Sequence, residues 1–359
     1  MAEEGFSFFS QQRTARGSWC EVSSSPAPVS ARKRGSVDSE DFVPSPGWEE
    51  PQWPDLVDLA RTKPGSKQVQ GWIAAASVEQ LQTIQQTLTP HFLQLSQDPC
   101  GNYVCQRLLQ HCSATDRLGL LESLREALAG LALHPIATHV IQTLVSLISL
   151  PDEEAVVTAW LRVHFLRLAR HEYGTHVVQK LQLTCHQAVL ELVLAHFPLL
   201  AADKFGIGVV KRAITDAVGV EREVIWQAIA PLALELAQDP YGNYAVQHIL
   251  DMWPGTAATL YTARLQGCIT QLSLQKCSSN VVEKCVEKAD PVTLGLILTE
   301  VGGRLALLAS NSFGIYVLRS LLRAASEDAR TTLKGQLRAV LAQIPSGSLK
   351  TRTEALLQE

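Results

Sequence analysis

The stretch from Gln238 to Leu250 places two amide side chains beside an aromatic ring. Asn243 and Gln247 are four residues apart, so in a helix their amides lie one above the other, with Tyr244 next to them. An amide both donates and accepts hydrogen bonds along the edge of a nucleotide base, and an exposed ring can stack on the flat of that base. These three side chains could therefore hold one nucleotide.

The same arrangement recurs along the chain. Gln97–Gln106 repeats almost the same residues, and aligning the copies on their glycine gives eight positions spaced 36, 36, 37, 32, 36, 36 and 36 residues apart. The aligned positions are Gly65, Gly101, Ala137, Gly174, Gly206, Gly242, Ser278 and Gly314. Such a period is typical of stacked units that cannot bury their apolar faces alone, so the sequence predicts a solenoid of eight units.

Each unit then has a first edge position, a stacking position and a second edge position, occupied by Asn243, Tyr244 and Gln247 in the sixth unit. In the first to fifth units, the same three positions hold Ser66, Lys67 and Gln70; Asn102, Tyr103 and Gln106; Thr138, His139 and Gln142; Thr175, His176 and Gln179; and Ile207, Gly208 and Lys211. In the seventh and eighth units they hold Ser279, Asn280 and Glu283; and Ile315, Tyr316 and Arg319. We predict that these residues bind RNA, except for Ile207, Gly208 and Ile315. Alone, His139 and His176 could be ordinary surface side chains, but their register favours binding.

The composition is that of small helices packed side by side, because 46% of residues are hydrophobic but only 6% are aromatic. Two apolar amphipathic stretches separate successive sets of edge positions, so each unit should contain about three short helices. The rings that precede the aligned glycines are expected in the core. They are Tyr173, Phe205, Tyr241 and Phe313.

The formal net charge of −4 gives no overall attraction for nucleic acid. Residues 1–54 supply −3 of it, with five Lys/Arg and eight Asp/Glu. Any attraction for phosphate must come from a local basic face. Candidates directly after second edge positions are Arg107, Lys180, Arg212 and Lys284.

Residues 1–52 are rich in serine, proline and charge and are predicted to be a disordered N-terminal tail. The eight repeats should fill residues 53–345, followed by a C-terminal tail over 346–359. The basic cluster before Ser36 suits a kinase site or a nuclear-import patch, or is an ordinary charged stretch of a tail. With no apolar signal region, no membrane-length apolar run and unpaired cysteines, we expect a soluble protein of a reducing compartment.

The sixth and seventh copies carry a family resemblance. Tyr241–His248 and Ser279–Cys285 match repeats of the Pumilio (PUF) family of RNA-binding proteins, and the resemblance covers about residues 55–345. It implies an all-α fold, a right-handed α-solenoid (a curved superhelix) of eight three-helix repeats. The second helix of each repeat would line a concave face and bind one base, with the RNA running antiparallel to the protein.

The family's edge residues imply a target. In that family Asn with Gln reads uracil, Ser with Gln reads adenine, and Ser with Glu reads guanine. Transferred to the first, second, sixth and seventh units, this gives 5′-NGUNNNUA-3′. The third, fourth, fifth and eighth units depart from the family's pairs, so their preferences stay open.

The chain shows no nucleophile elbow, phosphate loop or metal-ligand spacing, so we expect no enzyme, no cofactor and no metal. We expect a monomer that binds single-stranded RNA, such as mRNA 3′ untranslated regions, and regulates translation or decay in the cytoplasm. Its convex face would remain open to protein partners. Two alternatives stay open: a nuclear or nucleolar factor in rRNA processing, and a helical-repeat scaffold that has lost RNA reading.

Overall fold

A computed structural model describes residues 56–253 and 255–358, which belong to one compact unit. Over these residues the regular structure is helical, as the sequence predicts. The proposed N-terminal tail (1–52) and its basic cluster lie outside the described residues. Within the described ranges, no helix has the length and apolar character needed to cross a membrane.

Eight helices, which we call the row helices, begin within two residues of the aligned positions. They are α1 (Lys63–Ala75), α2 (Gly101–His111), α3 (Thr138–Ser146), α4 (Gly174–Thr184), α5 (Gly206–Asp216), α6 (Asn243–Met252), α7 (Ser278–Lys288) and α8 (Gly314–Ala324). Each row helix packs along the next one, from α1 to α8. Apart from Ala114–Ser123 and Pro151–Ala169, the outer helices of neighbouring units contact each other less than the row helices do, so the row helices form the close-packed inner face of an α-solenoid.

The outer helices cover the other side of the row. A short helix, Leu56–Ala60, precedes α1. The outer helices that follow are Val78–Leu88, Phe92–Gln97, Ala114–Ser123, Leu128–Ala132, Pro151–Ala169, His186–Ala195, Phe197–Ala201, Val220–Ile229, Ala233–Gln238, Thr256–Leu260, Ile269–Ser273, Pro291–Gly302, Leu305–Ala309, Glu327–Val340 and Ser348–Gln358. Short 3₁₀ turns (Thr89–His91, Ala230–Leu232, Leu341–Gln343) and one π turn (Tyr261–Leu265) connect some of them.

The predicted pair of outer helices is missing after α3. A single helix of 19 residues, Pro151–Ala169, takes its place. Elsewhere Pro90, Pro198 and Pro231 sit where one outer helix gives way to the next, because proline removes a backbone donor. Past its first residue, Pro151–Ala169 contains neither glycine nor proline, so nothing interrupts its hydrogen bonds.

A side chain three residues before the aligned position starts most row helices. Asp98 Oδ1 accepts hydrogen bonds from the backbone N–H of Cys100 and Gly101, at 2.8 and 2.7 Å. Asp203, Asp239 and Asn311 act in the same way, and His134 and His171 use Nδ1. These bonds satisfy N–H groups that have no partner inside the helix.

The aligned glycines let two backbone segments touch. A Cβ added to Gly174 would lie 2.6 Å from the carbonyl oxygen of Leu168, and one on Gly314 would lie 2.5 Å from that of Leu308. Ser278 occupies the same position in the seventh unit and donates to the Leu272 carbonyl at 2.7 Å. Glycine is therefore favoured at most aligned positions by close approach, and not by an unusual backbone angle, although Ala137 shows that the third unit accommodates a methyl group.

The hydrophobic core lies between the row helices and the outer helices that pack on them. The paired valines of α4, α5 and α7 are fully buried there. The rings of Tyr173, Phe205, Tyr241 and Phe313 are only half-buried, which corrects their assignment to the core. They belong to the turns before the row helices, where solvent reaches one side of the ring. Lys204 Nζ, for example, lies 5.2 Å from the centroid of Phe205.

The C-terminal boundary at 345 is also wrong. Ser348–Gln358 is a helix, and its Thr353 and Leu356 are buried against α8 and the outer helices of the last unit. The last unit of a solenoid has no following unit to cover its apolar surface, so a terminal helix covers it. The sequence beyond 345 is short and charged, which concealed this role.

Substitution of Gly174 by alanine tests the close contact. We expect Gly174→Ala to lower the free energy of unfolding by about 1–3 kcal/mol, because the new methyl group overlaps the Leu168 carbonyl. The matched control is Gly335→Ala, in the exposed middle of Glu327–Val340 with nothing within 4 Å of the added carbon. It should gain about 0.5–1 kcal/mol of helix propensity. Urea unfolding, followed by circular dichroism, gives the midpoint of each variant. Equal midpoints for Gly174→Ala and Gly335→Ala would contradict the argument.

Candidate RNA interface

Burial follows the same three-position pattern along the row. First edge positions are buried in all eight units, with Ile207 the most exposed at 8%. The side chains at the stacking position are exposed, and those at the second edge position are half-buried. The pattern arises because positions i and i+4 share a helical face while i+1 points outward beside them.

The structure joins the two edge positions by a hydrogen bond in five units. In each of them the glutamine Nε2 donates to the oxygen of the first edge side chain. The distances are 3.1 Å for Gln70 and Ser66, 3.0 Å for Gln106 and Asn102, 3.2 Å for Gln142 and Thr138, 3.4 Å for Gln179 and Thr175, and 2.7 Å for Gln247 and Asn243. The pairs are thus fixed as a unit before any ligand arrives.

The two asparagines are oriented by their own turns. Asn243 Nδ2 donates to the carbonyls of Asp239 and Pro240, at 2.8 and 3.0 Å, and Asn102 makes the equivalent pair of bonds. Both amide hydrogens are therefore used by the backbone. The side-chain oxygen of each asparagine faces the glutamine of its unit and the inner surface, where it can accept a further hydrogen bond.

Three tyrosine rings stand out from the inner face. Tyr103, Tyr244 and Tyr316 are 57%, 51% and 42% exposed. Each is one residue beyond a first edge position, so the ring lies beside the edge pair of its unit. His139, His176, Lys67 and Asn280 are exposed at the same position in other units. Exposed flat side chains at a constant period suit the stacking of successive bases.

The seventh unit forms a polar groove around Glu283. The groove has a volume of about 520 Å³ and is also lined by Gln247, Asn280, Ser320 and Arg323. Burial raises the pKa of Glu283, while the Ser320 hydroxyl and the Arg319 charge partly oppose the shift. Sequence reasoning missed Ser320 and Arg323, although Ser320 directly follows a second edge position. A half-buried carboxylate with a raised pKa at an open groove is typical of a binding site.

The fifth and eighth units lack a complete set. Ile207 and Gly208 offer neither an edge group nor a ring, and Lys211 has no polar neighbour at the first edge position. In the eighth unit the guanidinium of Arg319 lies 5.8 Å from the centroid of the Tyr316 ring, beside the buried Ile315. The two units thus keep a charge but lose the amide pair.

The row helices carry a positive charge of their own. They contain ten Lys/Arg and four Asp/Glu, a net charge of +6 within a chain of −4. Two of the predicted phosphate ligands are already paired: Arg212 with Asp216, and Lys284 with Asp251 and Glu287. The row helices taken together are therefore basic, although two of their cations are already paired. Over the described ranges, no cluster of His, Cys, Asp or Glu could hold a metal ion.

Comparison with known proteins places this geometry in a family. A model of the Pumilio-family RNA binding repeat matches residues 91–124, 164–181, 233–255 and 268–301, which include α2, α6 and α7 and the start of α4. The chain belongs to the Pumilio family. Pumilio homolog 12 of Arabidopsis thaliana is 29% identical over 274 residues, which cover 74% of this chain and 46% of the relative.

A second Arabidopsis relative, putative pumilio homolog 8, chloroplastic, is 31% identical over 262 residues, which cover 71% of this chain and 50% of the relative. The chain spans about half the length of these curated relatives. What they share with it is the Pumilio repeat domain.

Solved structures agree on the fold. The Puf4 RNA binding domain bound to the HO endonuclease RNA 3′ UTR recognition sequence superposes with a TM-score of 0.77 at 22% identity, covering 83% of this chain and 97% of that one. PUF-8 in complex with PBE-RNA gives a TM-score of 0.71 at 21% identity, covering 84% and 92%. The chain therefore has the α-solenoid fold of a Pumilio RNA-binding domain.

Two carboxylates on α7 should respond to pH with opposite signs. Burial raises the pKa of Glu283 above its ordinary 4.5, so its ionised form costs folding energy at neutral pH. Glu283→Gln should therefore raise the melting temperature at pH 7, and the gain should disappear below pH 4.5, where the wild-type carboxyl is protonated in both states.

Glu287 is the matched control. Lys284 lowers the pKa of Glu287, so its ionised form stabilises the fold, and that stability is lost as pH falls through the lowered pKa. Glu287→Gln should lower the melting temperature slightly at pH 7, since the pair is exposed, and have no effect at low pH. The same sign for both variants would show that Glu283 is not desolvated.

Proposed function

We propose that this protein binds single-stranded RNA along the row helices, with about one base for each repeat. The observation that carries the proposal is the repeated set of an exposed flat side chain beside a pre-bonded edge pair. A protein scaffold has no need of Tyr103 and Tyr244, half exposed next to amides that are held in place. The net positive charge of the row helices favours a phosphate backbone.

The target is 5′-NGUNNNUA-3′, read antiparallel to the protein. At Asn243 and Gln247, the asparagine oxygen can accept from uracil N3–H while the free glutamine hydrogen meets a uracil carbonyl. In the seventh unit the carboxylate of Glu283 only accepts, which suits the N1–H and amino group of guanine. The fifth and eighth units contribute little base preference because their first edge positions are apolar.

The biological role proposed is regulation of mRNA translation or decay in the cytoplasm, by a monomer that has its outer face free for protein partners. Its support is analogy with the Puf4 RNA binding domain, whose bound ligand is a 3′ UTR recognition sequence. Two experiments discriminate the alternatives. In crosslinking in cells, a nuclear rRNA-processing factor would crosslink to ribosomal RNA. In selection from a random RNA pool, a scaffold would enrich no motif.

The stacking rings give the first test of RNA binding. Each base–aromatic stack contributes about 1–3 kcal/mol, so Tyr103→Ala with Tyr244→Ala should weaken binding of an RNA with the 5′-NGUNNNUA-3′ site by at least tenfold. Fluorescence anisotropy at fixed salt measures the change, and circular dichroism checks the fold. The matched control, Tyr103→Phe with Tyr244→Phe, keeps both rings and should bind like wild type. If the alanine variant bound as tightly, the rings would not face the RNA.

The seventh unit gives a specificity test. Ser279→Asn with Glu283→Gln replaces the acceptor-only carboxylate by an amide pair like that of the sixth unit. The preference at the second RNA base should change from guanine to uracil, since each mismatch costs about 1–3 kcal/mol. Competition between two RNAs that differ only at this base reads out the change. A shared preference of both proteins for one RNA would show that the register assigned to the repeats is mistaken.

A further inference from the structure

The third and fourth units contain the same chain of hydrogen bonds as the first. In the first unit Gln70 Nε2 donates to Ser66 Oγ, and Ser66 Oγ donates to the Cys100 carbonyl of the next unit, at 3.1 and 2.9 Å. Thr138 and Thr175 replace the serine in the other two units. Their hydroxyls accept from glutamine at 3.2 and 3.4 Å and donate to the next unit's carbonyl at 3.3 and 3.5 Å.

This chain removes the hydroxyl from base recognition. A hydroxyl has a single proton, and here that proton goes to the carbonyl of Tyr173 or Phe205. Thr138 and Thr175 are also only 2% and 5% exposed. For a base bound at the third or fourth unit, the glutamine amide is therefore the polar group available at the edge positions.

The glutamine amides of the third and fourth units use only part of their hydrogen-bonding capacity within the protein. Nε2 of Gln142 and of Gln179 uses one hydrogen on its threonine, which leaves one N–H. Among the described residues, no donor holds the Oε1 atom of either side chain. The second unit differs, because Asn102 adds a second amide oxygen at the edge.

One donor and one acceptor select among the bases. The pairing edge of adenine carries only two polar groups, N1 as acceptor and the N6 amino group as donor, and its third position is an apolar C2–H. Uracil and cytosine each carry a further carbonyl, which would face a threonine that has no free proton. Guanine carries a further amino group, which would face a threonine only 2% or 5% exposed and out of its reach. An unpaired polar group in a binding site is costly, so adenine fits best.

We propose that the third and fourth units each bind adenine, through Gln142 and Gln179 with Thr138 and Thr175 closing the apolar side. His139 and His176 lie exposed at the stacking positions, where a purine offers them the larger surface. The inference rests on the RNA binding proposed above, and it extends the target to 5′-NGUNAAUA-3′.

The test measures binding of the full chain to 5′-CGUCAAUA-3′ and to RNAs with the fifth or sixth base changed to uracil, cytosine or guanine, by fluorescence anisotropy at fixed salt. The fifth base faces the fourth unit and the sixth base faces the third. Each change from adenine should weaken binding about tenfold. Equal affinity for adenine and uracil at these two bases, or a preference for uracil, overturns the inference.

Matched variants assign the preference to the threonines. Thr175→Asn adds a second amide oxygen, as in the sixth unit, and should shift the fifth base from adenine toward uracil. Thr175→Ser keeps the hydrogen-bonded chain and should retain adenine. An unchanged adenine preference in Thr175→Asn also counts against the inference.

One further RNA separates this inference from the function on which it rests. In 5′-CCUCAAUA-3′ the guanine that faces Glu283 is replaced. Loss of binding here, with no discrimination at the fifth and sixth bases, leaves RNA reading intact and refutes only the adenine assignment. If none of these RNAs binds, the proposed function itself fails.

Discussion

The close approach of each aligned glycine to a leucine six residues earlier, in five of the six cases to its carbonyl oxygen, sets the geometry of the row. It fixes how the short outer helix turns into the row helix, and the capping side chain three residues before the glycine holds that turn by accepting hydrogen bonds from backbone N–H groups. Because the contact recurs about every 36 residues, the row helices lie side by side in one register. A ligand with a regular spacing of its own, such as a stacked single strand, can then meet equivalent side chains in successive units.

Several side chains on the inner face lower the stability of the fold, and they lie at the positions proposed to bind RNA. Glu283 is a half-buried carboxylate whose pKa is raised by burial, although an amide of the same shape would cost less to bury. Three tyrosine rings stand in solvent where a protein selected for stability alone would place polar side chains. In return the edge pairs are already hydrogen-bonded, so little conformational entropy remains to be lost when a base binds.

Specificity is divided unevenly along the row. The second, sixth and seventh units each have two polar side chains at their edge positions, whereas the fifth has an isoleucine and a glycine at the same surface. The hydrogen bonds between units add a layer that the edge residues alone do not show. Thr138 and Thr175 donate to the backbone of the next unit, so the chemistry that a base meets depends on the neighbouring repeat as well as on its own.

The sequence alone determined the period, the eight units and which three positions of each row helix lie next to one another, because helical spacing and a recurring glycine are local properties. It could not place the helix at Ser348–Gln358, since the need to cover an open end arises only once the units are stacked. Nor could it show that Lys284 pairs with Asp251 of the preceding row helix, that Ser320 and Arg323 line the Glu283 groove, or where the threonine protons go. Most of these depend on distances between residues some thirty positions apart, and the packing of one row helix on the next decides them.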